Sequence, residues 1–153
     1  MEFVVNEWLP EYFKPDSSPE EKEKLEKFLN NFLERNDKLF VRRPSEFLRK
    51  IFRYANDYQH YPRVNENIKK FIANVVRNSN RCFIVDDNAF TLQDHIRDKL
   101  ILGGNTASDT YLFEAASMTD TKIIITTDER LKEWMKNQVE YKVELLDDFL
   151  TDY

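Results

Sequence analysis

Acidic side chains recur where the apolar segments of this sequence end, a pattern that can support metal-dependent chemistry. Glu46 follows one apolar run by a few residues, Asp128 follows another by two, and Asp109 opens the helical segment before it. Carboxylates that converge on one crevice repel each other unless they bind cations or shift their pKa values. Hard divalent ions such as Mg²⁺ and Mn²⁺ prefer oxygen ligands, and paired ions can hold the attacking water and the leaving oxygen of a phosphodiester.

Each of these acids, taken singly, also has a purely structural explanation. Glu46 and Asp109 lie in first helical turns, where the helix dipole stabilises a carboxylate. Thr106 stands three residues before Asp109, which is the spacing of a capping box, and Asp128 could belong to a helix-capping turn. The pair at 86–87 could simply end a strand. The convergence of three or four carboxylates at one edge is what favours a metal site over these explanations.

An alternation of strands and helices predicts how the acids are brought together. Apolar runs predict strands at 3–5, 38–42, 82–85 and 122–126, and the alternation Val139, Tyr141, Val143 predicts an edge strand. Runs that are apolar on both faces are typical of parallel sheets covered on both sides. The sequence therefore predicts one three-layer α/β/α domain over 1–153, with a central, mainly parallel sheet of four to five strands. In such sheets the ligand crevice lies beyond the carboxyl ends of the strands.

The helix after the second strand combines an apolar stripe with a basic surface. It begins at 44–46, and the residues predicted to face inward are Phe47, Leu48, Ile51, Phe52 and Ala55. Arginines can neutralise phosphates and aromatic rings can stack on unpaired bases. The residues predicted to bind RNA are Arg42, Arg43, Arg49, Lys50 and Arg53, interleaved downstream with Tyr54, Tyr58, His60 and Tyr61. The alternative is that these charges form an ordinary solvated helix face.

Composition narrows the classes of function. Two glycines nearly exclude Gly-rich phosphate-binding loops, and the single cysteine, Cys82, is typical of a buried thiol in a reducing compartment. No apolar stretch approaches the ~20 residues of a membrane span, and the acidic N-terminal residues do not resemble a signal peptide. We therefore expect a cytoplasmic protein. The net charge of −5 argues against nucleic-acid affinity by charge alone, although carboxylates that await cations also make a chain acidic.

Several short segments together resemble one family. Residues 108–116 read Ser-Asp-Thr-Tyr-Leu-Phe-Glu-Ala-Ala, 122–128 read Lys-Ile-Ile-Ile-Thr-Thr-Asp, 145–150 read Leu-Leu-Asp-Asp-Phe-Leu, and 44–48 read Pro-Ser-Glu-Phe-Leu. They resemble segments of the PIN domain ribonucleases. In that family a helix begins with Asp and has an Ala-rich end, and the apolar strand after it ends in Thr-x-Asp. The last two segments resemble the C-terminal segment of the family and the helix that carries its glutamate. The resemblance covers essentially the whole chain, through short motifs.

The resemblance implies a PIN-like α/β/α fold and a Mg²⁺- or Mn²⁺-dependent endoribonuclease. Its metal ligands would be Asn6, Glu46, Asp109 and Asp128, of which Glu46, Asp109 and Asp128 would be catalytic. The substrate implied is single-stranded or structured RNA, hydrolysed by a water that the metal orients and acidifies. Toxin-type members of the family further imply an inhibitory protein partner or a homodimer.

One departure from the family pattern leaves other functions open. The first strand of the family ends in a metal-binding aspartate, whereas Asn6 stands here. Glu7 and Glu11 are nearby and could compensate for the missing charge, although Glu7 is expected to point to a different side than Asn6. A catalytically impaired PIN-like domain that binds RNA or protein is therefore the second hypothesis. A third is a receiver-like signalling domain with Asp86 or Asp87 as the phosphoacceptor, although the chain lacks a convincing acidic pair after its first strand.

Overall fold

A five-stranded parallel sheet forms the centre of the computed structural model, which describes residues 1–153 apart from the side chain of Asn105. The strands are β1 (Glu2–Val5), β2 (Lys38–Arg42), β3 (Cys82–Val85), β4 (Ile123–Thr126) and β5 (Lys142–Leu145). Their order across the sheet is β3-β2-β1-β4-β5, and every neighbouring pair is parallel. The predicted parallel sheet is confirmed, and so is the edge position of its last strand. This strand begins at Lys142, so the exposed Val139 of the predicted alternation lies before it.

Helices cover both faces of the sheet, so the predicted three-layer architecture is confirmed. One face packs against α1 (Trp8–Tyr12), α2 (Pro19–Glu34), α3 (Glu46–Asp57), α4 (Pro62–Phe71) with its π-helical continuation Ile72–Val76, and α8 (Leu146–Asp152). The other face packs against α5 (Asp94–Leu102), a 3₁₀ segment (Gly104–Asp109), α6 (Thr110–Ala116) and α7 (Glu129–Trp134). Within the part of the chain that the structure describes, no helix has the length and apolar character needed to cross a membrane.

The strands are apolar on both faces because both faces are buried. On β1, Phe3 and Val5 belong to the core beneath α1–α4 and α8, whereas Val4 belongs to the core beneath α5–α7. The ring of Phe3 packs edge-on against Phe28 and Phe149, with centroid distances of 5.9 and 5.6 Å. A strand with this double burial cannot shift register by one residue without moving each side chain to the opposite core.

The apolar stripe of α3 is narrower than its sequence predicts. The buried residues of this helix are Phe47, Leu48, Ile51 and Tyr54, and Ala55 lies at the margin. The prediction that Phe52 faces inward is wrong, because its side chain is 42% exposed. At about 3.6 residues per turn, positions 47, 51 and 54 form the centre of the buried face, and Phe52 lies beyond its edge. Tyr54 fills the inward position instead.

The topology creates one crevice at the carboxyl edge of the sheet. From β1 the chain continues to β2 and β3 on one side, and then crosses to β4 and β5 on the other side of β1. The connections after β1 and β4 therefore leave these neighbouring strands toward opposite faces of the sheet. Such a switch point is where open parallel sheets bind their ligands.

Candidate functional site

Glu7 and Asp128 flank the switch point between β1 and β4. Each lies two residues beyond the end of its strand, and the strands are held in register by the pairing of Val5 with Ile125. Glu7 has helical backbone angles (φ −68°, ψ −4°) at the start of α1. The strand has therefore ended before Glu7, so the alternation that predicted the direction of the Glu7 side chain no longer applies. Glu7 lies near enough to Asp109 for its charge to raise the pKa of that carboxyl, so it belongs to the site that the sequence prediction assigned to Asn6.

Asp109 completes a group of three half-buried carboxylates at this crevice. It ends the 3₁₀ segment and directly precedes α6, which packs on β1, β2 and β4. Its side chain caps no helix, and the predicted partner Thr106 instead donates its hydroxyl hydrogen to the carbonyl of Leu100. Burial, followed by the charges of Glu7 and Asp128, raises the pKa of Asp109 to about 7. Among the described residues, no basic side chain forms an ion pair with Asp109 that would lower this pKa.

Asp128 has the structural role that its sequence context allows. One carboxylate oxygen, Oδ1, accepts hydrogen bonds from the backbone N–H groups of Arg130 (2.8 Å) and Leu131 (3.2 Å), which caps α7. Its own N–H donates to the hydroxyl of Thr126 at 3.0 Å. These contacts orient the side chain through one oxygen, and the second oxygen makes no hydrogen bond with another described residue. The cap and a role at the crevice are therefore compatible.

Asn6 is held by hydrogen bonds from both ends of its side chain. Its amide nitrogen donates to the Thr126 hydroxyl at 2.7 Å, and its amide oxygen accepts from the backbone N–H of Trp8 at 3.3 Å. The side chain thus ties the start of α1 to the end of β4. This buried, uncharged bridge explains why the fold accepts an amide at the end of the first strand.

Glu46 lies at the rim of the site. It begins α3, where Ser45 caps the helix by accepting from the N–H of Leu48 at 3.2 Å. Its carboxylate pairs with Arg49 one turn along the helix, and this contact lowers the pKa of Glu46. Its charge also contributes to the raised pKa of Tyr111, which is near Glu7 and Asp109. Glu46 is therefore on the same side of the molecule, but it has a cationic partner that the other three acids lack.

Tyr111 is a second residue of the site that the sequence did not single out. Burial and the nearby charge of Glu7 raise the pKa of its hydroxyl well above the ordinary value. The hydroxyl is nevertheless without a hydrogen bond of normal geometry to any described residue. This O–H donor is therefore buried beside the Glu7 carboxylate without a well-aligned acceptor. The sequence does contain a signal for Glu7, because Glu7 lies two residues after its strand, as Asp128 does. No comparable sequence signal points to Tyr111.

Replacing Tyr111 by Phe should raise the free energy of unfolding by about 1 kcal/mol, because it removes a buried hydroxyl whose contact with the Glu7 carboxylate lacks normal hydrogen-bond geometry. Tyr153→Phe is the matched control, since the Tyr153 hydroxyl donates to the buried carboxylate of Asp37, and this variant should lose about 1–2 kcal/mol. Urea denaturation of the metal-free protein measures both. Equal destabilisation by the two variants would show that Tyr111 has a partner in the folded state.

The side chains at the crevice carry the type of ligand atom that a hard divalent cation prefers. Glu7, Asp109 and Asp128 supply only oxygens, and their mutual repulsion is what a bound cation would relieve. As the side chains lie, no group of three or more His, Cys, Asp or Glu residues within the described part of the chain is arranged to hold a metal ion. Binding would therefore require these three side chains to turn toward a common point.

The basic residues predicted to bind RNA do not form one patch. Arg42 is buried between Asp87 and Glu114, and Lys50 pairs with Glu11 at 2.9 Å. Arg43 is exposed and holds both oxygens of Asp86, at 2.8 and 2.9 Å.

Only Arg49 and Arg53 share the exposed face of α3, and both make surface pairs, with Glu46 and Asp57 respectively. The predicted RNA contact of Arg42 stays a prediction, and in the structure its guanidinium pairs with Asp87 and Glu114 inside the fold.

Asp86 and Asp87 are likewise engaged by arginines. They follow β3, an edge strand separated from the switch point by β2 and β1. Their pairing with Arg43 and Arg42 gives them the role of holding the end of β3 against the end of β2. This arrangement provides no support for a phosphoacceptor there.

Comparison with known proteins adds no assignment. The chain matches no protein-family model, and no match to it is found among curated proteins or among solved structures.

Proposed function

We propose that this protein is a PIN-like, Mg²⁺- or Mn²⁺-dependent endoribonuclease with its active site at the switch point between β1 and β4. The observation that carries the proposal is the group of three half-buried carboxylates, Glu7, Asp109 and Asp128, in which burial and mutual charge raise the pKa of Asp109 to about 7. Such a group is costly to the fold unless a cation compensates it. The resemblance of 108–116 and 122–128 to the PIN pattern supports RNA as the substrate.

The side chains of the site have separable tasks in this proposal. Asp109, Asp128 and Glu7 would hold the ion, and Asp128 is prepared for this by the hydrogen bonds that fix its Oδ1. The ion would supply the orientation and acidification of the attacking water. The buried Tyr111 hydroxyl lies beside Glu7, and Glu46 with Arg49 borders the crevice where the RNA would enter.

Cleavage of a fluorescently labelled single-stranded RNA tests the function. We expect cleavage with Mn²⁺ or Mg²⁺ and none in EDTA, with internal products, as an endonuclease yields. Cleavage that persists in EDTA would contradict metal dependence, and a progressive loss of terminal nucleotides would contradict endonucleolytic action.

A catalytically impaired PIN-like domain that binds RNA is the second candidate, and the hydrogen-bonded bridge of Asn6 favours it. An aspartate at this position can be accommodated, because the Thr126 hydroxyl can donate to a carboxylate as readily as it accepts from an amide. If the wild type is inactive with Mn²⁺ and Asn6→Asp cleaves, the impaired domain is established. If the wild type cleaves, we expect Asn6→Asp to raise its affinity for Mn²⁺ through the added charge. The inhibitory partner implied by toxin-type members stays a prediction.

A further inference from the structure

The exposed face of α3 carries an aromatic ring among arginines. Arg49, Phe52 and Arg53 follow the spacing i, i+3, i+4, so they share one side of the helix. All three are exposed, and the Phe52 side chain is 42% accessible. A single exposed apolar side chain needs no explanation by itself. What distinguishes Phe52 is the charge of its neighbours.

A third arginine reaches the same ring from another element. The guanidinium carbon of Arg77, which follows the π-helical segment Ile72–Val76, lies 6.0 Å from the centroid of Phe52. Arg77 is exposed, and no acidic side chain pairs with it among the described residues. Arg53 pairs only loosely with Asp57, at 3.8 Å. The Phe52 ring is therefore partly exposed, and arginines that can contact phosphates flank it.

This surface lies on the helix that begins with Glu46, at the rim of the carboxylate crevice. Glu46 lies six residues before Phe52 on α3, which corresponds to about 9 Å along the helix axis. The ion pair between Glu46 and Arg49 fills the interval. A chain that is bound at the crevice and extends along α3 would meet Phe52 and then Arg53.

We propose that Phe52 is a stacking platform for a base of single-stranded RNA, and that Arg53 and Arg77 contact the phosphates beside that base. The proposal rests on the proposed function for the identity of the nucleic acid. Stacking requires an unpaired base, so the surface selects single strands over duplexes. The arginines provide the charge complementarity that a nucleic acid requires and that this acidic chain as a whole lacks.

Fluorescence anisotropy with a fluorescein-labelled 12-residue oligouridine, in EDTA to prevent cleavage, tests the platform. Phe52→Leu should weaken binding about tenfold, since stacking of one base contributes ~1–3 kcal/mol, whereas Phe52→Trp should retain the affinity of the wild type. Phe83→Leu is the matched control: Phe83 is 39% exposed and lies under Lys38 at 5.9 Å, but on edge strand β3. We expect Phe83→Leu to bind like the wild type.

The salt dependence separates stacking from charge. Arg77→Gln should weaken binding and reduce the slope of log affinity against log salt by about 0.7, as expected for one phosphate contact to a single strand. Phe52→Leu should leave that slope unchanged.

The proposal is overturned by any of four results: no binding by the wild type, equal loss in Phe52→Leu and Phe83→Leu, equal affinity for an RNA duplex of the same length, or Phe52-dependent binding of a labelled oligoglutamate. The last result would identify a protein-docking surface. Because binding is measured without metal, Phe52-dependent binding combined with absent cleavage would overturn the nuclease function alone. Cleavage without Phe52-dependent binding would overturn only the platform.

Discussion

Asp109→Asn should raise the free energy of unfolding of the metal-free protein by about 2 kcal/mol at pH 8, less than the full pKa shift would give because water screens the half-buried carboxylate, and should also abolish the proposed RNA cleavage. The gain in stability follows from the raised pKa, because the fold must hold an ionised Asp109 beside Glu7 and Asp128, and an amide carries no charge. The loss of activity follows from the removal of one charged oxygen ligand. A residue whose replacement stabilises the fold and destroys activity is retained for function rather than for folding.

The pH dependence of this gain has a defined sign. The folded-state pKa of Asp109 is about 7, against an ordinary value of 3.8. Below both values the carboxyl is protonated in the folded and unfolded chains, so the variant should gain little. As the pH rises from about 4 to about 7, the unfolded chain ionises first and the wild type loses stability. The advantage of Asp109→Asn should therefore grow through this window and level off above it.

Urea denaturation of the wild type and the variant at pH 4, 6 and 8 measures the effect. Asp94→Asn is the control, because Asp94 lies in the first turn of α5 and its side chain is almost fully exposed. This variant should show no growing advantage with pH. Addition of Mn²⁺ should raise the melting temperature of the wild type more than that of Asp109→Asn. A difference in stability that is the same at all three pH values would refute the buried, repelled carboxylate.

Arg42→Met should destabilise the protein by about 3–4 kcal/mol. The Arg42 side chain is 8% exposed, donates to Glu114 at 2.7 Å, pairs with Asp87, and stacks over Phe90 at 4.6 Å. Methionine fills part of the volume but leaves the largely buried Glu114 without its counter-charge, and breaking a buried pair from one side costs about 3–5 kcal/mol. The effect should be visible as a lower urea midpoint with an unchanged slope.

Two further variants test this reasoning. Arg43→Met changes the neighbouring arginine, whose pair with Asp86 is solvent-exposed, and it should leave the urea midpoint nearly unchanged. Glu114→Gln in the Arg42→Met background should recover part of the loss, because it removes the stranded charge. If Arg42→Met and Arg43→Met unfold alike, the network does not stabilise the fold. If Arg42→Met binds RNA less tightly, this should result from its lower stability. Arg77→Gln, in contrast, should bind RNA less tightly without being destabilised.

The local sequence pattern was sufficient to predict the strands and the parallel sheet of this protein. The apolar runs predicted four strands of the sheet to within a residue or two, because residues buried on both faces must be apolar throughout. The alternation of these strands with helices predicted the parallel arrangement. The same reasoning located Asp128 just beyond β4 and Asp109 at the start of the helix that leads into β4, and both positions lie at the carboxyl edge of the sheet.

Contacts between residues distant in the chain decided the composition of the site. Glu7 joins it because its backbone is already helical at the start of α1, so strand alternation no longer determines its direction. Asn6 is engaged by Thr126, 120 residues away in the chain, and Arg42 by Glu114. Phe52 is exposed, whereas Tyr54 is buried and donates its hydroxyl hydrogen to Glu11 on α1. Hydrophobic period is a property of neighbouring residues and can be read from the sequence, whereas the partner of a charge or an amide depends on which distant elements the fold packs together.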